Sequence, residues 1–344
     1  MQVTASQLAD LLAITIPAGL PVLITGAPGV GKSDVVAQAT KRLNFDFLLS
    51  HPAVEDPTVP AGLPWIGKGA SEATFLPFGI MAKALKATKP TVWFLDDLGQ
   101  ASPAVQAAYM QLLLARRVNG HILPDCVTFI AATNRRTDRA GVSGILEPVK
   151  SRFACIVELI ADIESWAAWA IDHSISPTLI AFLRFRPETL SAFTPTADIT
   201  NSPMPRTWAH LAKLEALNLP PVLEHAAFAG AVGEAAAIEY IAFRKMANSL
   251  VNLQAILDDP LGVRIPSQPS ELYATAVGLA GKARPETFAK IGQYCNRLVD
   301  ASKGEFAVLC IRDAVRRNDK LQHTDTFVRL ASGPIGKLIT GQAN

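Results

Sequence analysis

Eight consecutive residues, Gly26-Ala27-Pro28-Gly29-Val30-Gly31-Lys32-Ser33, satisfy the pattern G-x-x-x-x-G-K-[ST] at every fixed position. Glycines at this spacing let backbone N–H groups curl around an anion, and a helix starting at the end of the loop adds its positive dipole end. Lys32 can then reach the outer phosphates of a nucleotide, and the Ser33 hydroxyl can bind Mg2+. A second pattern, Val92-Trp93-Phe94-Leu95-Asp96-Asp97, is four apolar residues followed by two acids. Asp96 suits a metal ligand, direct or through water, and Asp97 a group that orients or deprotonates an attacking water. Taken alone, such a pair is also what ends many strands in a turn. Thr128-Phe129-Ile130-Ala131-Ala132-Thr133-Asn134 is a third apolar-to-polar junction. Asn134 can hydrogen-bond a terminal phosphate or the water, or it can cap the following turn. In Leu146-Glu147-Pro148-Val149-Lys150-Ser151-Arg152-Phe153, Arg152 can reach a phosphate in a neighbouring subunit or serve in a surface ion pair.

These groups need elements to hold them. Pro21–Thr25 reads as a buried strand and Asp34–Thr40 as a helix, so the glycine loop sits between strand and helix, the context its chemistry requires. The first ~155 residues alternate β-like runs with helical patterns, which points to an α/β fold with a parallel sheet. Five strands are expected: Val22–Thr25, Phe45–Leu49, Thr91–Leu95, Val127–Ala131 and Ala154–Leu159. In such sheets ligands bind beyond the carboxyl ends of the strands, where all three polar junctions fall. Asn119-Gly120 suits a type I′ turn, so Arg117–Leu123 is either a small hairpin or a surface loop. From Ile163 onward Ala, Leu and Ile recur at helical spacing, with Pro-rich breaks at Thr194–Pro205 and Asp258–Pro269. The expected division is an α/β domain over 1–159, a helical domain over 160–258 and a helical extension over 259–344.

The chain has 344 residues, enough for two domains with their own cores, and its 49% hydrophobic content excludes a disordered chain. The 32 basic residues nearly balance the 30 acidic ones, so there is no general electrostatic case for nucleic acid or an anionic membrane. Cys126, Cys155, Cys295 and Cys310 form no C-x-x-C pair, which fits reduced thiols in a cytoplasmic protein. No basic segment precedes the N-terminal apolar stretch, so a signal peptide is not expected. The most hydrophobic stretch, Ala226–Phe243, carries Glu234 and Glu239 and is expected to be a buried helix, not a membrane span.

Taken together, the glycine loop, Phe94-Leu95-Asp96-Asp97-Leu98-Gly99-Gln100-Ala101, Ala131-Ala132-Thr133-Asn134, Ser151-Arg152-Phe153 and Pro205-Arg206-Thr207-Trp208 resemble an AAA+ ATPase over about residues 1–250. The nearest group by these motifs is the MoxR-like one, in the clade with an insertion in helix 2. The resemblance implies a P-loop NTPase sheet followed by an all-α lid, with ATP and Mg2+ bound. It implies that Asn134 is the sensor 1 residue, Arg152 an arginine finger acting in trans, and Arg206 the sensor 2 residue acting in cis. His51–Leu76 falls where this group inserts a loop into helix 2, and Asn119-Gly120 where the clade has a hairpin before sensor 1. Both would face the pore of a ring, with Trp65 and Lys68 as candidate substrate contacts, although Trp65 equally suits a core. The resemblance also implies a homo-oligomeric ring, a hexamer, and a von Willebrand A-domain protein as partner. One departure stands out: the family has Asp-Glu where this chain has Asp96-Asp97. The shorter side chain withdraws the carboxylate by about one C–C bond, ~1.5 Å, and an error of ~1 Å can cost on the order of 100-fold in rate. Slow turnover is the expectation.

Other functions fit parts of the pattern. A nucleic-acid motor or loader would use Arg135, Arg136 and Arg139, or Lys83, Lys86 and Lys89, on phosphates, though no basic stripe supports it. A small-molecule kinase is disfavoured by the long helical second half. A GTPase is disfavoured because no Asn-Lys-x-Asp sequence follows the loop. A nucleotide-binding ring without hydrolysis is left open by Asp97.

Overall fold

The apolar runs of the first half assemble side by side. The computed structural model describes residues 1–69, 71–138, 144–196 and 198–339. Its strands are β1 (Gln2–Val3), β2 (Val22–Thr25), β3 (Asp46–Ser50), β4 (Leu63–Trp65), β5 (Thr74–Leu76), β6 (Thr91–Leu95), β7 (Arg117–Val118), β8 (His121–Ile122), β9 (Val127–Thr133) and β10 (Cys155–Leu159). Six of them form one sheet in the order β1-β10-β2-β9-β6-β3 among the described residues, every neighbouring pair parallel. The sheet has one strand more than the five expected. Gln2–Val3 joins its edge through Gln2↔Glu158 and Val3↔Leu159. A two-residue strand has no alternation to read, and its pairing partner supplies the conformation.

Parallel strands need crossovers, and helices supply them. In this region they are α1 (Ala5–Thr15), α2 (Lys32–Arg42), α3 (Thr58–Ala61), α4 (Gly79–Leu85), α5 (Pro103–Ala115) and α6 (Glu147–Lys150). Alternate residues of a strand face opposite sides, so each central strand feeds two cores. Trp93 and Leu95 join Phe129, Ala131, Met81 and Tyr109 on one face. Val92 and Phe94 join Ile130, Ala132, Leu8, Leu12 and Val36 on the other. Helix α1 shows why it docks. Leu8, Leu12 and Ile16 recur every fourth position with no exposure, and Thr4 with Gln7 forms a capping box at its start.

The described chain divides into two compact units, Met1–Ala161 with Phe193–Ala197, and Asp162–Ala192 with Asp198–Asn344. The second unit contains no strand among its described residues. Its helices are α7 (Ile163–Asp172), α8 (Pro177–Phe185), α9 (Pro205–Ala216), α10 (Pro221–Val232), α11 (Glu234–Leu250), α12 (Leu253–Asp258), α13 (Pro269–Lys282), α14 (Pro285–Asp300), α15 (Gly304–Arg317), α16 (Asp325–Ser332) and α17 (Pro334–Ile339). Helix α13 packs on α8 and on α15, so helices before and after the break at 258–269 share one unit. Phe182 lies 5.6 Å from Trp208 and 5.4 Å from Tyr240, ring to ring, and ties α8 to α9 and α11.

The stretch Ala226–Phe243 is two helices, not the single buried one expected from its hydropathy. Gly233, at φ +84°, ends α10 and begins α11, a backbone turn that L side chains rarely adopt. Ile238 is half exposed, so the stretch is not buried throughout. No helix among the described residues is long and apolar enough to cross a membrane.

An ion cluster with a sealed centre, Arg184 and Asp313, joins α7, α8 and α15. Arg184 donates to both carboxylate oxygens of Asp313 and also to Glu164, which accepts from Arg312 too. Arg184 and Asp313 side chains are 3% and 2% exposed, so neither charge has water to turn to. Such pairs do little for net stability, but breaking one strands the other.

Candidate functional site

Strand register brings the polar junctions together. Strand β2 lies between β10 and β9, and β9 also pairs β6. Thr25 is opposite Thr133, which sets Gly26 and Asn134 side by side at the carboxyl ends. Leu95 is opposite Ala131, which brings Asp96 and Asp97 to the same edge. Asp96 N–H donates to Ser50 O at 2.9 Å, extending the β3–β6 ladder by one step and fixing where the acids emerge.

The glycine loop runs from β2 into α2. Gly29 and Gly31 have φ of +71° and +105°, left-handed geometry that opens the loop before the helix. A side chain on Gly26 would stand 2.7 Å from Leu159 O, so the chain passes here against the end of β10. Ala27, Pro28 and Val30 complete the loop, with Ala27 and Val30 buried. Lys32 is almost wholly buried, and its Nζ donates to Gly26 O at 2.9 Å, Ala27 O at 3.0 Å and Asn134 Oδ1 at 2.7 Å. The ammonium is thus held at the loop by the backbone it serves.

Two carboxylates occupy distinct positions beside it. Ser33 Oγ donates to Asp96 Oδ2 at 2.7 Å. Asp97 Oδ1 accepts from Gln100 Nε2 at 2.8 Å and, at the long distance of 3.4 Å, from Asn134 Nδ2. Asn134 therefore links Lys32 to Asp97 across the cleft, and does not cap its own following turn. Asp97 has φ +58° and ψ +35°, a left-handed conformation in which Asp is enriched several-fold over most other residues. The backbone thus gives a local reason for aspartate where the resembled family has glutamate.

Ser33 and Asp96 form an oxygen-only donor set within hydrogen-bond reach of one another, which fits a hard cation such as Mg2+. Gly99 closes the arrangement: a Cβ there would lie 2.1 Å from Thr133 Oγ1. The turn carrying Asp97 can pack on the end of β9 only because residue 99 has no side chain. Gln100 and Gly99 had no role assigned from sequence. Gln100 lies three residues beyond Asp97, the spacing of one helical turn, and that was the signal available.

The remaining expected site residues each belong to one of the two units. Arg152, just after α6, donates to Pro148 O, and its Nε has no acceptor. Arg206 is exposed in the first turn of α9, in the second unit. Arg135 is committed to Asp138 at 2.8 Å and Glu158 at 3.1 Å, and the bonds to Asp138 above all raise its pKa. Its charge is internally compensated, which weakens it as a phosphate contact. Arg136, Lys83, Lys86 and Lys89 are exposed, and Arg139 lies outside the described residues.

Strands β4 and β5 form an antiparallel hairpin, and β7 and β8 a second one turned by Asn119 at φ +48° and Gly120 at φ +84°. His121 Nε2 pairs with Phe75 O at 2.7 Å and joins the two hairpins, while Asn119 Nδ2 donates to Ala61 O at the end of α3 at 2.9 Å. Trp65 is 57% exposed, which excludes the core role in this chain, and Leu63, Ile66 and Ile122 are exposed with it. Lys68 is exposed between the strands of the first hairpin.

Residues 21–153 match the family model described as AAA domain (dynein-related subfamily). A comparison with curated proteins gave no match. Among solved structures, RuvB from Thermotoga maritima, a Holliday junction branch migration motor, is 17% identical, with 86% of this chain and 87% of that one covered at a TM-score of 0.39. NtrX from Brucella abortus, in complex with ADP, is 15% identical over 96% of this chain and 68% of that one, at 0.42. A putative ATPase from Cytophaga hutchinsonii is 13% identical over 76% and 90%, at 0.36. Likeness of this size carries nothing about substrate.

Proposed function

We propose that this chain binds ATP with Mg2+ at the glycine loop and hydrolyses it, as a ring-forming AAA+ ATPase of the MoxR-like group that remodels or assembles a protein partner. The observation that supports this best is the connected set Lys32–Asn134–Asp97 beside Ser33–Asp96 at the carboxyl edge of the sheet. The loop from Gly26 to Ser33 cradles the phosphates with its N–H groups, and Lys32 balances their outer charge. Ser33 and Asp96 hold Mg2+, which when bound neutralises charge developing on the phosphate oxygens. Asp97 accepts the proton of the attacking water, and Gln100 and Asn134 fix its orientation. Asn134 touches both the lysine and the carboxylate, so it positions the water relative to the terminal phosphate. Arg152 acts on the nucleotide of a neighbouring subunit, and Arg206 in cis, as the resemblance implies. The paired hairpins, with Trp65 and Lys68, are the proposed contacts for a protein substrate, with a von Willebrand A-domain protein as the partner to test first.

The test is mass by light scattering with and without Mg·ATP, with phosphate release measured in parallel, on wild type and Lys32→Ala. The expected outcome is assembly to about six subunits and slow hydrolysis, reduced by ~10²–10³-fold in the variant, as for loss of one transition-state donor. A monomer under all conditions would remove the trans role of Arg152. Turnover unchanged in Lys32→Ala would remove the hydrolysis reading.

A further inference from the structure

The second unit holds a cavity of about 270 Å3 lined by Ile171, Ser174, Gly281, Arg284, Arg317 and Asn318. It sits where three helices end, α7, α13 and α15, and where α14 begins. Two of its six lining residues are arginines, and no carboxylate lines it.

Three carboxylates on α7 and α15 are already bonded to other arginines. Asp313 offers both oxygens to Arg184. Glu164 accepts from Arg184 and Arg312, and Asp172 from Arg316. The Arg284 guanidinium donates to Ala283 O, the carbonyl of the preceding residue, and makes no ion pair among the described residues. Arg317 has buried Nε and Nη2 atoms with no hydrogen-bond partner. Its pKa is lowered, first by burial and then by the neighbouring Arg184 and Arg284, against the pull of Asp313. Arg317 as a residue is half-buried, but its two inaccessible donors are uncommon, because buried donors are ordinarily satisfied.

The helix ends do not cancel the charge. Three C-termini bring about −0.5 each and the start of α14 about +0.5, so two arginines leave a surplus of about one positive charge. Four lining side chains, Ser174, Arg284, Arg317 and Asn318, can donate hydrogen bonds, and guanidinium forks match planar and tetrahedral oxyanions.

We propose that this cavity is a binding site for a small oxyanion, a phosphate or carboxylate group, held by Arg284 and Arg317. The site lies wholly within the second unit and is independent of the nucleotide reading above. A ligand there bridges the end of α15 and the start of α14 and bonds the Nε and Nη2 of Arg317, which Asp313 does not reach.

The experiment uses the full chain at constant ionic strength. Inorganic phosphate, then succinate, is titrated against wild type, Arg284→Gln, Arg317→Gln and Lys32→Ala, with 31P line broadening for phosphate and the thermal midpoint for both. Binding of either anion that survives Lys32→Ala and weakens about tenfold in Arg284→Gln is the expected result, the scale of one charge-assisted hydrogen bond. Phosphate alone or succinate alone then identifies which oxyanion the site takes. Arg284 is exposed, so its variant tests the site even if Arg317→Gln does not fold. Binding unchanged in Arg284→Gln overturns the proposal, as does binding of neither anion, and binding lost only in Lys32→Ala places the anion at the glycine loop instead.

Discussion

Two polar clusters stand in this chain, and they are built on opposite terms. In the first unit Lys32, Ser33, Asp96, Asp97 and Asn134 meet at strand ends, with both acids and Asn134 partly open to solvent. In the second, Arg184 and Asp313 are shut away between helices and satisfy one another. In the first, the bonds to the acids include long ones, 3.2 Å from Asp97 N–H to Asp96 Oδ1 and 3.4 Å from Asn134 Nδ2 to Asp97 Oδ1. The second leaves neither Asp313 oxygen without a donor. Charged groups are therefore left accessible where strands end and are paired off where helices enclose them, and the proposed chemistry belongs to the accessible set.

The comparison can be broken at several points. The largest expected effect is on the sealed cluster. Arg184→Met leaves Asp313 buried without its partner and should cost ~3–5 kcal/mol in urea unfolding, whereas Arg184→Met with Asp313→Leu should recover most of the loss. Equal losses in both would mean the pair is not the unit of stability. At the open cluster Asp97→Ala should lower phosphate release about 100-fold with little change in unfolding, while Asp97→Glu stays within about tenfold of wild type. If alanine turns over as wild type does, Asp97 is not the group that handles water. The smallest change sits at the junction of turn and strand. Gly99→Ala places a methyl against Thr133 and should cost ~1–3 kcal/mol as overpacking. It should also separate Asp97 from Asn134, so turnover should fall more than stability does. A full-rate Gly99→Ala enzyme would show that this contact is not what sets the geometry.

Much of the first unit was legible because it is local. Thr91–Leu95 forms its strand with the bounds read from sequence, since an unbroken apolar run ending in two acids has one natural place in a parallel sheet. The glycine loop announced itself through residues only eight positions long. What stayed hidden depends on distant partners. The Lys32–Asn134 bond spans 102 positions and the Arg184–Asp313 pair 129, and no spacing rule reaches that far. Gly233 was visible as a residue, but whether a lone glycine interrupts a helix depends on the turn its surroundings require. The hairpin at Asn119-Gly120 was readable as a turn, while its bonding to Ala61 and Phe75 was not.

That bonding has a consequence for how the chain can vary. His121 reaches the Phe75 carbonyl on the first hairpin and Asn119 the Ala61 carbonyl at the end of α3 just before it, so the position of one hairpin is tied to that of the other. A residue added to the strand bearing Phe75 would turn its carbonyl away from His121, because backbone direction alternates with every position. Length changes in one hairpin are therefore tolerable only when the other compensates, which makes the pair a single heritable module. Loop grafts taken from relatives should be exchanged two at a time.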